Sequence, residues 1–186
     1  MRTTVFIGGR RGRSIGGTVL IAALGLLVAT ASGSFAAPPR ASTASAPACA
    51  TSGLVVWLNT TGSGAAGSTY YTLEFTNLSG HPCTLSGYPG VSAIDLSGNQ
   101  IGAPAKRDSF AAPHTVTLGS GPNATAATAT LRIVESGNFP RSSCGPVTAA
   151  GLRVYPPNQR ASKIVPFPFG ACSHTADGIL SVRAVR

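Results

Sequence analysis

The segment YYTLEFTN, residues 70–77, decides the fold. Tyr71, Leu73 and Phe75 fall on one side of a period-two alternation, and Tyr70, Thr72, Glu74 and Thr76 fall on the other. That is the pattern of a β-strand with one buried face, whereas a helix would scatter the same apolar residues around its axis.

The alternation recurs further along the chain. Ala127, Ala129, Leu131 and Ile133 oppose Thr128, Thr130 and Arg132, and Leu180, Val182 and Ala184 oppose Ser181 and Arg183. Shorter candidates lie at 54–58, 91–95, 115–118, 152–155 and 162–167. Between them stand turn-formers rich in Gly, Pro, Asn and Ser, at 61–67, 79–82, 88–90, 97–99, 119–123, 136–138 and 156–158. No long stretch has helical periodicity without Gly or Pro. The expected class is all-β, an antiparallel immunoglobulin-like β-sandwich braced by two disulfides. Such a sandwich often buries one Trp against a bridge, and Trp57, between Val56 and Leu58, is placed in that role.

The N-terminus carries a different signal. Arg2, Arg10, Arg11 and Arg13 precede the apolar run VLIAALGLLVA, and the small residues TASGSFAAPP follow, with Ser34 and Ala36 suited to a cleavage site. The apolar run is about 14 residues, short of the roughly 20 that span a bilayer as a helix. Residues 1–36 are therefore expected to be a signal peptide rather than a kept anchor, through either the general or the twin-arginine route. Residues 37–48 are expected to be a flexible Ala/Pro/Ser-rich linker and 49–186 a single domain. The protein is expected outside the cell, secreted or associated with the wall, with no stable membrane span after cleavage.

Cleavage also changes the charge. The chain has 14 Lys and Arg against 5 Asp and Glu, and four of the bases precede Ala36, so the exported part carries about +5. Its bases are scattered, without the clustering that tracks phosphates, and no nucleic-acid partner is expected.

Cys49, Cys83, Cys144 and Cys172 all follow the signal, which suits an oxidising compartment. None is in the short paired spacing of zinc ligands. Of the connectivities four cysteines allow, sequential pairing fits the strand frame best, Cys49 with Cys83 and Cys144 with Cys172.

With these elements placed, the runs GAAGSTYYTLEFTN from Gly64, CTLSGYPGVSAI from Cys83, IGAPAKR from Ile101, LRIVESGNFP from Leu131 and CGPVTAAGLRVYPPNQ from Cys144 resemble the actinobacterial secreted family of the domain of unknown function 4232. The resemblance covers residues 49–186. It implies a secreted or surface-attached β-sandwich with no established catalytic residues and no cofactor. Many relatives carry a lipoprotein signal or membrane segment, and this sequence departs from them in showing neither.

Candidate chemistry is sparse. Gly119-Ser120-Gly121 lacks the strand-to-helix setting of a nucleophile elbow. His81, His114 and His174 lie far apart beside turn signals, and no metal site is expected from them. The Asn-x-Ser/Thr triplets at Asn59, Asn77 and Asn123 match a glycosylation pattern and are taken as accidental. The aromatic residues Tyr88, Tyr155 and Phe169 sit at strand ends or in loops, where sandwich domains carry ligand surfaces. Packed corners at Tyr88-Pro89-Gly90 and Tyr155-Pro156-Pro157 are the competing role. Two functions follow. One is a non-catalytic binding module for cell-wall polymer or protein; the other is a small secreted hydrolase or metal-dependent enzyme built from His114, Asp108 and Glu135.

Overall fold

The computed structural model describes residues 45–121, 123–174 and 178–186, so the expected export signal and the first part of the linker lie outside the described residues, as does Asp177. Eleven strands occur among them: β1 (Leu54–Ala65), β2 (Ser68–Asn77), β3 (Cys83–Ser86), β4 (Gly90–Ile94), β5 (Gln100–Ile101), β6 (Lys106–Asp108), β7 (Thr115–Leu118), β8 (Ala127–Val134), β9 (Pro146–Tyr155), β10 (Lys163–Cys172) and β11 (Leu180–Arg183). Helical structure is confined to 3-10 turns at Thr51–Gly53 and Ser136–Asn138 and a four-residue helix, α1 (Arg141–Cys144).

β2 and β8 sit inside a five-stranded sheet of order β1-β2-β8-β11-β6. The second sheet has the order β10-β9-β4-β5, and β3 pairs with β7 in a separate ribbon. All pairings are antiparallel except β11 with β6, which run parallel. In the register Leu58↔Leu73↔Ala129, the apolar side of each alternation lands on one face of the first sheet. Leu73, Phe75, Leu131 and Val182 from that face are fully buried with Val91, Leu152 and Val154 from the second sheet and Leu85 and Leu118 from the ribbon, all in one core. Burying each such side chain stabilises the fold by about 1.5–3 kcal/mol, and this shared burial holds the layers together.

The β1–β2 hairpin is longer than its composition suggests. Residues 61–65, read as a turn from their Gly and Ser, continue β1, and the turn itself is only Ala66-Gly67, both at positive φ (25° and 74°). The ladder slips between Asn59 and Ser63, and the hairpin end is exposed. Backbone hydrogen bonds hold it without apolar side chains, so no alternation marks it. Trp57 is a second correction. It stands 43% exposed opposite Glu74, because Val56 and Leu58 point into the core and the strand period must turn their intervening neighbour outward. The end of the linker is part of the domain: Ala48 bridges to Thr84, whose N–H donates to the Pro47 carbonyl at 2.8 Å.

The bridges are Cys49–Cys83 and Cys144–Cys172, closing loops of 34 and 28 residues in sequence separation. Loop closure on that scale is worth about 3–4 kcal/mol per bridge in the chain-entropy treatment. At the second bridge the chain passes very close to Gly102, which has φ 62°; a Cβ there would collide with the Cys172 carbonyl oxygen.

Asn77, at the end of β2, is 1% exposed and fully used. Its Nδ2 donates to the carbonyls of His81 (2.9 Å) and Gly119 (3.0 Å), and its Oδ1 accepts from the N–H (3.0 Å) and hydroxyl (2.7 Å) of Ser79. One side chain therefore organises two loops around the end of the strand.

Candidate functional site

Tyr88 lies in the loop between β3 and β4, and Tyr155 closes β9. The β4–β9 ladder pairs Gly90 with Tyr155, bringing the two aromatic residues to the walls of one groove of about 350 Å³ with Gly87, Arg107, Pro156, Asn158 and Gln159. The absence of a side chain on Gly90 makes room for Tyr155; a Cβ at Gly90 would stand 3.3 Å from the Tyr155 Cβ.

The walls are fixed from several directions. Asn158 donates from Nδ2 to the Ser86 carbonyl at 3.0 Å, pinning the turn after β9 to the end of β3. The Val185 N–H donates to the Gly87 carbonyl at 2.9 Å, tying the Tyr88 loop to the chain after β11. Pro89, Pro156 and Pro157 are buried, while both tyrosines remain half-buried. The corners are thus packed through their prolines and open through their tyrosines. On the third side, β6 carries the exposed Arg107, whose guanidinium carbon lies 5.6 Å from the Tyr88 ring centroid. At that separation the cation is attracted to the ring face. Among the described residues, Arg107 is the only charged one lining the groove.

Phe169 does not join them. It lies on β10, half-buried, with its ring 5.8 Å from Phe167, which in turn meets Tyr71 edge-on at 4.9 Å. The alternation in Val165-Pro166-Phe167-Pro168-Phe169 turns both phenylalanines toward the partly buried margin of the core and leaves both prolines exposed. Phe169 is a packing residue.

The expected catalytic trio is also divided. Asp108 and His114 line a second hollow of about 170 Å³ with Phe110, Thr130 and Arg183. Asp108 accepts from Arg183 Nε at 2.9 Å and from the Phe110 N–H at 3.1 Å. The hydrogen bond from Arg183, ahead of the opposing effect of partial burial, holds its carboxyl below the usual carboxylate range. Glu135 follows β8, where it accepts from the Thr69 hydroxyl at 3.3 Å. Measured along the strand from Thr130, which lines the hollow, it lies roughly 17 Å away. A general base has to stand within hydrogen-bond reach of its partner, and Glu135 does not meet the other two. His174 packs beside Gly145, and His81 offers its carbonyl to Asn77. Among the described residues no group of three or more His, Cys, Asp or Glu is placed to hold a metal ion.

Arg107, Asn158 and Gln159 are the groove residues that sequence reasoning did not single out. Arg107 reads as one of several scattered bases, and Asn158 reads only as a turn residue. The meeting of Arg107 with Tyr88 depends on the placement of β6 beside β11, which no local pattern announces.

A disulfide-braced, all-β domain with one aromatic and cationic groove is the class defined by these features. The chain belongs to the family described as a domain of unknown function, DUF4232, whose model matches residues 49–186. No curated protein and no solved structure matches it.

Proposed function

We propose that this chain is a secreted or cell-surface, non-catalytic binding module that contacts an envelope polymer or protein through the groove between Tyr88 and Tyr155. The observation that carries the reading is the convergence of two half-exposed tyrosines and Arg107, from three separate elements, in one open groove. Loop-borne aromatic residues on a rigid β frame are a common way to build a recognition surface. Two disulfides suit an oxidising compartment, and among the described residues no helix is long and apolar enough to cross a membrane. In this reading the two sheets form an immunoglobulin-like sandwich. Their common core supports that assignment, while the parallel β11–β6 pair and the β3–β7 ribbon are departures from the simplest form.

Pull-down from envelope fractions and culture medium tests the proposal. The immobilised protein is expected to retain a wall component or protein that the Tyr88→Ala/Tyr155→Ala variant does not. No retention, or equal retention by both, overturns it.

A further inference from the structure

The chemistry of the groove narrows its ligand, and we infer that it takes an acidic saccharide, a sugar unit bearing a carboxylate or phosphate. The inference rests on the preceding reading of the groove as a binding surface. Among the described residues its lining supplies two phenolic hydroxyls, one guanidinium, no acid, and two carboxamides, of which Asn158 Nδ2 is shared with Ser86 and Gln159 Oε1 with the Thr51 hydroxyl. A ligand that satisfies this set must offer hydroxyls and at least one anionic group.

Arg107 selects the charge. Its planar fork of donors matches a carboxylate or phosphate bidentately, and the neighbouring Tyr88 ring orients it without neutralising it. Of the acids among the described residues, Glu74, Asp95, Asp108 and Glu135, none lines the groove. Asp108, the immediate neighbour of Arg107, is already engaged by Arg183 on the following parallel strand.

The tyrosines select the sugar. A pyranose ring presents an apolar C–H face with hydroxyls around its rim, and a Tyr ring combines a flat apolar face with a hydroxyl at its tip. Tyr155 is held in position by its seat against Gly90, and the turn beside it by the Asn158 bond to Ser86, so little conformational freedom is lost on binding. Other ligand classes fit less well. A peptide anchor needs a deep apolar pocket, whereas this lining is mostly polar. A nucleic acid needs several bases along its backbone, and the groove has one.

Isothermal titration of the protein with three probes tests the inference: a glucuronic-acid-containing disaccharide, its neutral glucose counterpart, and that counterpart carrying a phosphate on one sugar. The two acidic disaccharides separate a carboxylate from a phosphate as the source of charge. At least one acidic probe is expected to bind, more weakly as salt rises, and the neutral disaccharide at least about tenfold more weakly. Arg107→Gln, an exposed position, is expected to remove that preference. Arg141→Ala, exposed on α1 outside the groove, is expected to keep it. Binding that ignores the charge of the probe, binding unchanged in Arg107→Gln, or binding of none of the three overturns the inference. If none binds while Tyr88→Ala/Tyr155→Ala still abolishes retention of an envelope component, the binding reading stands and the acidic-saccharide assignment alone falls.

Discussion

Arg183 grips Asp108 across the one parallel strand pair, its Nε donating to the carboxylate at 2.9 Å, while its guanidinium carbon lies 4.4 Å from the centroid of the Phe110 ring. The contact fixes the start of the loop that follows β6.

Asp108 should therefore carry a pH-dependent share of stability. The folded chain lowers its pKa, so its contribution is present above the ordinary carboxylate value and is lost as pH falls through the lower folded value, below about pH 4. The pair is about one-third exposed, with side-chain accessibilities of 35% and 34%, so solvent screening keeps the effect small. Asp108→Asn is expected to lower unfolding stability at pH 7 by less than about 1 kcal/mol. In urea titrations the gap between variant and wild type should close below about pH 4. A gap of equal size at neutral and acid pH would show that the ion pair is not its source.

Asn77→Ala should be far more damaging. The substitution removes a donor from the His81 and Gly119 carbonyls and the acceptor of the Ser79 N–H at a side chain that is itself 1% exposed, while the Ser79 hydroxyl keeps its bond to the His81 carbonyl. Loss of about 2–4 kcal/mol is expected, read as a lower urea midpoint at unchanged slope. A loss under about 1 kcal/mol would mean that water replaces the amide.

Trp57 is the sole tryptophan and gives a direct optical check on strand register. Exposed on the outer face of β1, it should emit close to the wavelength of the unfolded chain and be quenched by acrylamide in the native state. Trp57→Thr should change stability by no more than about 0.5 kcal/mol. Blue-shifted, quencher-protected emission would contradict the outward placement.

The same residue marks what was legible in the chain. β2, β8 and β11 follow from alternation because one face of each meets the core, and the sequential bridges follow from where the cysteines fall between strands. For Trp57, hydrophobicity argues for burial, but the period that its own neighbours Val56 and Leu58 set turns it outward. β5 and β6 are only two and three residues long, too short for any period to register. The groove was half legible: Tyr88 and Tyr155 stand out as aromatic residues beside prolines, but Arg107 reaches them through a non-local strand pairing. Phe169 has the same local signature as those tyrosines. It differs only in lying on the inward side of a strand that had been expected to end at Phe167.

The exposed prolines of β10 have a consequence for self-association. β10 is an edge strand of its sheet, and an open edge is a template on which a second chain can add a strand. Pro166 and Pro168 offer no amide hydrogen, so an incoming strand would find two missing rungs in the ladder. A domain of this build resists the edge-to-edge addition of a second chain at that strand.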